Sequence, residues 1–289
     1  MSNPNWATDL SLDHVGLIVP DLKAASDLWR ALGFNLTSRA DHTRTDAQGM
    51  RIPAGSSQHS VMLQQGYIEL MQITDPLAGH PLTPAMQQRY GLHIVAIDTP
   101  DSRATHQALS QLGCSVSAVM DWSRPVKEGD FEGLAKFSFF DTPWQTSDAS
   151  YVCWVQHLTP EIIRRPGSTV HANGAQALKA VIFEGVGADC AEWIQRLSSF
   201  GLNAISQQSR DLDYQDAIVQ LGLSQLRIQE KPEAGHICPS VIQIQVDDVD
   251  VLLKKAQACQ LTIQIQDENT EIDLGTISPV RLRVTSGRY

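Results

Sequence analysis

The sequence predicts an α+β fold made of four βαβββ modules. Three observations indicate this fold: an apolar strand leads into a capped helix, three extended segments follow that helix, and the same order recurs about 80 residues later. Two further copies follow a break that contains proline, glycine and charged residues. Together the four copies account for nearly the whole chain of 289 residues.

The first module begins with a strand over residues 12–19. Pro20 and Asp21 then start a helix with Asp21 as its N-cap, and Gly33 ends it. Apolar residues recur at helical spacing inside it: Leu22, Ala25, Trp29 and Leu32. Extended segments over residues 34–37, 59–63 and 66–73 complete the module.

The second module repeats this order. A strand over residues 93–98 leads into a helix that starts at residues 100–102 and ends at Gly113. Three strands are predicted after it, over residues 115–120, 136–140 and 150–158. A repeat of this length is more informative than any single motif.

Residues 159–167 interrupt the pattern and predict a linker. We therefore expect two domains, residues 1–166 with modules one and two and residues 167–289 with modules three and four. The third module has predicted strands at 177–184, 217–219 and 226–228 and a helix at 188–200. The fourth has strands at 241–246, 261–266 and 279–285 and a helix at 249–258.

Composition narrows the class of protein. The net charge is −10 and the few basic residues form no stripe, which argues against binding to nucleic acid. No segment approaches the roughly 20 apolar residues of a membrane span, and no signal peptide precedes the first module, so we expect a cytoplasmic protein without membrane contacts. The five scattered cysteines favour neither a disulfide framework nor a thiolate zinc site.

Glu69 is the residue that first suggests a functional site. It lies inside an apolar strand, where an unpaired carboxylate costs several kcal/mol, so it needs a metal, an arginine or a raised pKa. His14 and His93 each lie near the start of a strand that opens a module. Two imidazoles and one carboxylate on separate strands are typical ligands of a divalent metal. The alternative is that Glu69 pairs with Arg51 and that the histidines hold loops by hydrogen bonds.

Four segments of the first module resemble the vicinal oxygen chelate superfamily, in particular its glyoxalase-like branch. They are Asp13-His14-Val15, Pro20-Asp21-Leu22, Leu32-Gly33-Phe34 and Gly66-Tyr67-Ile68-Glu69-Leu70. The resemblance covers modules one and two by motif and modules three and four by the order of elements. It implies that the modules pair into two cup-shaped, curved mixed sheets around a divalent metal.

The resemblance also implies a set of ligands. It assigns the metal places to His14, Glu69 and His93, with a metal that is zinc, iron, manganese or nickel. Superposing the strands puts Cys153 opposite Glu69, whereas His157 on the same face is the more natural ligand, so the fourth ligand is His157, Cys153 or water. Ala180 and Val241 stand near the corresponding places of the second half, so we expect no metal there and a cup filled by side chains.

Several other residues are candidates for contact with a substrate. Trp154, Arg51 and His59 are assigned to substrate binding, although aromatic residues at alternating strand positions are more often core and charged ones more often solvated. The remaining histidines fall in polar segments and are predicted at the surface: His42, His80, His106, His171 and His236.

The predicted function is that of a metal-dependent enzyme that chelates a small oxygenated substrate through adjacent oxygens. Its chemistry would be that of a lyase or isomerase, with the metal stabilising an enolate or enediolate and Glu69 acting as the general base. One alternative is a metal-free protein that binds a small molecule in the same cup. Another is an iron(II) extradiol-type dioxygenase. A small-molecule substrate is the expected partner, with a homodimer as one expected assembly.

Overall fold

The structure is a computed structural model, and it describes residues 10–45, 48–78, 80, 82–83, 89–142, 148–208, 215–231, 233–266 and 269–287. Two curved, mixed sheets of eight strands each dominate it. The first sheet is formed by residues 11–157 and the second by residues 175–286. This arrangement confirms the predicted α+β class with four βαβββ modules.

The first module consists of β1 (Ser11–Ile18), α1 (Leu22–Ala31), β2 (Ala40–Thr45), β3 (Arg51–Met62) and β4 (Tyr67–Ile73). The second consists of β5 (Gly91–Asp98), α2 (Ser102–Gln111), β6 (Met120–Glu128), β7 (Phe131–Asp141) and β8 (Tyr151–His157). The strand order of their sheet is β2-β3-β4-β1-β5-β8-β7-β6. A short helix, α3 (Pro160–Ile163), lies in the segment predicted as a linker.

The third module consists of β9 (Ala175–Gly185), α4 (Gly187–Ser199), β10 (Ile205–Gln208), β11 (Gln215–Leu221) and β12 (Ser224–Glu230). The fourth consists of β13 (Cys238–Val246), α5 (Val249–Ala258), β14 (Thr262–Gln266), β15 (Asn269–Asp273) and β16 (Arg281–Ser286). Their sheet has the order β10-β11-β12-β9-β13-β16-β15-β14. The sequence did not predict β10 and β15.

Helix ends follow the local signals in the sequence. Asp21 and Asp101 cap α1 and α2, and each accepts hydrogen bonds from backbone N–H groups of the first turn. At the end of α1, Gly33 N–H donates to Arg30 O and Phe34 N–H to Trp29 O, with Gly33 at φ +87°. This is a Schellman motif, and the Phe34 ring contacts Trp29 at a centroid distance of 4.9 Å.

The same motif explains two errors of the sequence analysis. Residues 34–37 and 115–120 were predicted as strands, but β2 begins at Ala40 and β6 at Met120. Phe34 completes the end of α1, and Cys114, whose N–H donates to Leu109 O, completes the end of α2. The residues that follow these caps make isolated backbone hydrogen bonds, from Thr37 N–H to Ser60 O and from Ser117 N–H to Asp141 O, and continuous strand pairing begins only with β2 and β6.

The chain divides into two compact units. One comprises the chain up to His14, Ile94–Ile163 and Leu178–Gln243, and the other comprises Val15–His93, Arg164–Ala177 and Ile244–Tyr289. The first unit thus holds most of modules two and three, and the second unit most of modules one and four. The predicted boundary at residue 166 lies between the segments that form the two sheets, and the division into two domains there stays a prediction.

Each unit has its own buried core. In the second unit, α1 buries Leu22, Ala25 and Trp29, and the indole Nε1 of Trp29 donates to Ser278 Oγ at 2.9 Å.

None of the helices in the described part of the chain has the length and apolar character needed to cross a membrane.

Candidate functional site

Strand register places Glu69 on the face of β3 and β4 that lies away from α1. Ser60 pairs with Glu69 and Gln58 with Met71, and side chains of paired residues share a face. Gln72 belongs to the other face, where its side chain accepts from Leu22 N–H at 3.0 Å and donates to Pro20 O. Because those atoms belong to the start of α1, Glu69 lies on the opposite face, which we call the Glu69 face.

The Glu69 face is polar although it is buried. Besides Glu69, which is 8% exposed, it carries Ser56, Gln58 and Ser60 on β3, all at most 5% exposed. Buried polar groups at this density are costly unless they find partners, so they favour a site over a simple packing surface.

His42 on β2 brings an imidazole to this face. Its Nε2 lies 3.6 Å from Glu69 Oε1, and its Nδ1 lies 2.6 Å from Ser56 Oγ. The ring of His80 stacks against it with a centroid distance of 6.4 Å, and burial together with His42 lowers the pKa of His80 to about 4. The prediction that His42 and His80 are surface residues is therefore wrong.

A second cluster forms in the other compact unit, around the carboxylate of Asp13. His14 Nδ1 lies 2.7 Å from Asp13 Oδ2, and His157 Nε2 lies 3.0 Å from both carboxylate oxygens. Burial by itself would raise the pKa of Asp13, but the hydrogen bonds and charges of the two histidines hold it well below its usual range. Sequence analysis selected both histidines and missed the carboxylate that joins them.

His93 has a different environment from His14. Its Nε2 lies 2.9 Å from Arg89 O, and burial, reinforced by the Arg89 charge, lowers the pKa of His93 to about 4. β1 and β5 both span eight residues and begin 80 positions apart. The N-caps of the helices that follow them, Asp21 and Asp101, are also 80 positions apart. His93 therefore corresponds to Asp13, so the predicted equivalence of His14 and His93 was wrong by one residue.

The structure places the predicted substrate contacts as follows. Trp154 pairs with Phe140, stacks on its ring at 5.2 Å, and is fully buried, so it belongs to the core. His59 pairs with Leu70, which puts it on the face opposite Glu69, and its Nδ1 lies 2.7 Å from Thr37 O. The side chain of Arg51 lies outside the described residues.

Cys153 shares a face of β8 with His157, because their partners on β7 are Asp141 and Phe137. Cys153 is itself buried. Tyr151, on the same face, donates its hydroxyl to Asp141, and its pKa is raised by burial and by the charges nearby.

The predicted set of metal ligands stays a prediction, because His14 and His157 belong to one compact unit and Glu69 and His93 to the other. His14 and His157 direct ring nitrogens to Asp13, and His93 directs one to Arg89 O. Across the described ranges, no three histidine, cysteine or acidic side chains are grouped to hold a metal. His42 Nε2 and Glu69 Oε1 are 3.6 Å apart, a separation that fits two ligands each about 2.0–2.2 Å from one ion. They supply two ligands, and a metal site needs more.

The chain belongs to the family described as Glyoxalase-like domain, which residues 12–198 match. This match covers more than half of the 289 residues and confirms the resemblance to the vicinal oxygen chelate superfamily. Curated protein sequences gave no match.

Solved structures with the same fold are distant in sequence. A hypothetical protein from Staphylococcus aureus is 13% identical with a TM-score of 0.65, covering 96% of this chain and 99% of that one. A mutant 4-hydroxymandelate synthase from Streptomyces coelicolor is 11% identical with a TM-score of 0.60 and coverages of 96% and 93%. A catechol 2,3-dioxygenase is 11% identical with a TM-score of 0.58 and coverages of 96% and 92%. At these identities the likeness establishes the fold.

Proposed function

We propose that this chain is an enzyme that moves a proton on a small oxygenated substrate at the Glu69 face. The observation that carries the proposal is the buried Glu69 carboxylate with His42 Nε2 at 3.6 Å, on a face lined by Ser56, Gln58 and Ser60. A buried acid next to an imidazole is a typical acid–base pair. Membership of the glyoxalase-like family supports this class of reaction.

In the proposed reaction, Glu69 removes a proton from a carbon next to a carbonyl group. The electrons of the broken C–H bond move to the carbonyl oxygen, which takes a proton from His42 Nε2, and an enediol results. His42 then takes the proton of the other hydroxyl group, a new carbonyl group forms there, and Glu69 returns its proton to the former carbonyl carbon. His42 is oriented by Ser56. When the Ser56 hydroxyl donates to Nδ1, His42 Nε2 carries the hydrogen and donates it toward the developing oxyanion.

Exchange of substrate hydrogen with solvent tests this proposal. In D2O, the protein should catalyse loss of the C–H signal of dihydroxyacetone or a related hydroxycarbonyl compound in the NMR spectrum. Glu69→Gln keeps the shape but removes the base, so exchange should fall about 10²- to 10⁴-fold. Glu132→Gln, at an exposed ion pair with Lys127, is the matched control and should exchange like the wild type.

Exchange no faster with protein than without it, across a series of hydroxycarbonyl compounds, would overturn the proposal. Equal exchange by the wild type and Glu69→Gln would remove Glu69 from the reaction. Both results must be obtained on protein whose folding is verified by its unfolding transition.

Metal dependence stays a prediction for this chain. The predicted set of ligands also stays a prediction, and His42 with Glu69 is a pair of possible ligands that the described residues bring together. Metal analysis of protein purified without added metal tests it directly. Oxygen uptake with catechol tests the dioxygenase alternative, which the catechol dioxygenases among the structural neighbours support. Ligand binding without turnover is the outcome expected of the metal-free binding protein.

A further inference from the structure

Gln58 carries a buried polar atom that nothing in the described chain satisfies. The residue is 5% exposed, and its side-chain oxygen Oε1 is buried without a hydrogen-bond partner among the described residues. A buried acceptor without a donor destabilises the folded protein, and such atoms are rare in native structures. A ligand that brings a hydrogen-bond donor would satisfy this atom.

The surroundings of Gln58 define what that donor can be. Gln58 shares its face with Ser56 and Ser60 on the same strand, and with Glu69 and Met71 on β4. An ionised Glu69 can only accept hydrogen bonds, so Gln58 Oε1 and Glu69 make the face rich in acceptors. The guanidinium group of Arg39 lies on the opposite face of the strands, where its Nη2 donates to Ser57 Oγ.

An acceptor-rich face disfavours an anionic ligand. A carboxylate or phosphate brings only acceptors, so it cannot donate to Gln58 Oε1, and its negative charge would lie on the same face as Glu69. A hydroxyl group brings the hydrogen that Gln58 Oε1 lacks. A small uncharged ligand with a hydroxyl group therefore suits this face.

We infer that the Glu69 face binds an uncharged hydroxycarbonyl compound whose hydroxyl group donates to Gln58 Oε1. This inference rests on the proposed function and names the substrate class of the same site. With the hydroxyl group held by Gln58, the neighbouring carbon and carbonyl group are directed to Glu69 and His42.

The decisive variant is Gln58→Met, which keeps the volume and removes the unpaired acceptor. Its melting temperature without ligand should rise by about 2–4 °C, because the buried group without a partner is gone. Gln72→Met is the matched control on the other face of the same strand pair. Since the Gln72 amide makes both of its hydrogen bonds with the start of α1, its melting temperature should fall.

Three probes of similar size test the ligand class on full-length protein. Hydroxyacetone carries the donor, methoxyacetone replaces its hydrogen by a methyl group, and pyruvate is an anion. Hydroxyacetone should raise the melting temperature of the wild type in proportion to its occupancy, and the other two should not. Gln58→Met should lose this response, whereas Gln72→Met should keep it.

Several outcomes would overturn the inference. They are an unliganded Gln58→Met protein that melts at or below the wild-type temperature, a response to hydroxyacetone that survives in Gln58→Met, and equal responses to hydroxyacetone and methoxyacetone. No response of the wild type up to saturating hydroxyacetone would also reject it. Binding with these signs but without deuterium exchange would uphold the inference and reject proton transfer, so the two failures are distinguishable.

Discussion

At the scale of single residues, Asp13 shows how much of a buried cluster depends on one carboxylate. Both of its oxygens lie at 3.0 Å from His157 Nε2, and one also receives His14 Nδ1. His14, the next residue in the sequence, and His157, 144 positions away, thus both contact the same carboxylate. The carboxylate fixes which ring nitrogen of each histidine bears its hydrogen.

Replacing Asp13 by Asn should therefore be costly. The amide cannot accept from both histidines with the strength of a carboxylate, and the unfolding free energy should fall by about 2–3 kcal/mol. Urea unfolding at neutral pH measures this. Asp121→Asn is the control, because the pair of Asp121 with Arg103 is exposed and should contribute less than about 1 kcal/mol. Equal stability of Asp13→Asn and wild type would contradict the role given to this cluster.

At the scale of elements, the long helices α1, α2, α4 and α5 of the described residues end in the same backbone motif. The position after the C-cap is Gly33 in α1, Gly113 in α2, Gly201 in α4 and Gln260 in α5, where φ is +56°. A side chain in the left-handed region costs roughly 1 kcal/mol or more. α5 therefore carries strain that the other helices avoid.

Gln260→Gly should remove this strain. We expect the unfolding free energy to rise by about 0.5–1 kcal/mol, after allowing for the greater entropy of glycine in the unfolded chain. Lys254→Gly, at an exposed position inside the same helix, should lower it by about 1 kcal/mol. Thermal and urea unfolding measure both, and the same sign for the two variants would refute the explanation.

Residues 171–173 fasten the segment after α3 to the end of α1. Asn173 is fully buried, donates from Nδ2 to Leu32 O at 3.0 Å, and accepts from Ala175 N–H. His171 accepts from Asn35 N–H and donates to Met62 O, so it is not the surface residue that the sequence predicted. This segment therefore belongs to the folded core of its unit.

Asn173→Ala should expose the importance of this anchor. It leaves two buried backbone groups without partners, so the unfolding free energy should fall by about 2–4 kcal/mol. The same substitution at Asn35, whose side chain makes an exposed bond to Gly167 O, should cost less than about 1 kcal/mol. If both variants unfold at the same denaturant concentration, the anchor contributes nothing particular.

The fourth module replaces the acid of the first by a cation. Glu69 is the third residue of β4, and the third residue of β16 is Arg283. Arg283 Nε and Nη2 donate to Glu271 Oε1 at 2.9 and 2.6 Å, and Arg281 Nη1 donates to Glu271 Oε2. A buried ion pair thus fills this place.

A double-mutant cycle tests this pair. Arg283→Met should lower the unfolding free energy by about 3–5 kcal/mol because Glu271 keeps its charge with fewer partners. Adding Glu271→Met should recover part of this loss, since no carboxylate then remains buried. Strict additivity of the two substitutions in urea unfolding would show that the pair is not coupled.

At the scale of the whole molecule, buried histidines make stability depend on pH. Burial lowers the pKa of His80 and His93 to about 4, and also lowers that of His59 and His171 from the ordinary value of 6.5. Below pH 6.5 the unfolded chain binds protons that the folded chain resists. Stability is therefore lost as the pH falls from 6.5 toward 4.

The unfolding free energy should decrease by up to about 1.4 kcal/mol per pH unit for each of His80 and His93 within this window, and the lowered pKa values of His59 and His171 act in the same direction. Below pH 4, Asp13 adds a further loss of stability. Its pKa is lower in the folded protein than in the unfolded chain, so the unfolded chain binds this proton first. Urea unfolding between pH 4.5 and 7.5 measures the slope. His93→Gln should flatten it, and a wild type with constant stability over this range would contradict the burial of neutral histidines.

The sequence alone determined the modular plan of this protein. Helix caps at Asp21 and Asp101, the glycine at the end of α1 and α2, and the bounds of α5 were predicted because their signals lie within a few residues of each other. Strand periodicity likewise revealed β1, β4, β5 and β8. These features depend on local backbone chemistry, which a single chain segment carries by itself.

The tertiary structure decided which side chains meet. Glu69 was visible in the sequence, but its neighbours His42, Ser56 and Gln58 come from strands whose pairing sets the face of every residue. A shift of one residue reverses that face, and by its position in the strand His93 corresponds to Asp13 and not to His14. Register between distant strands arises from packing of the whole sheet, and no local pattern encodes it.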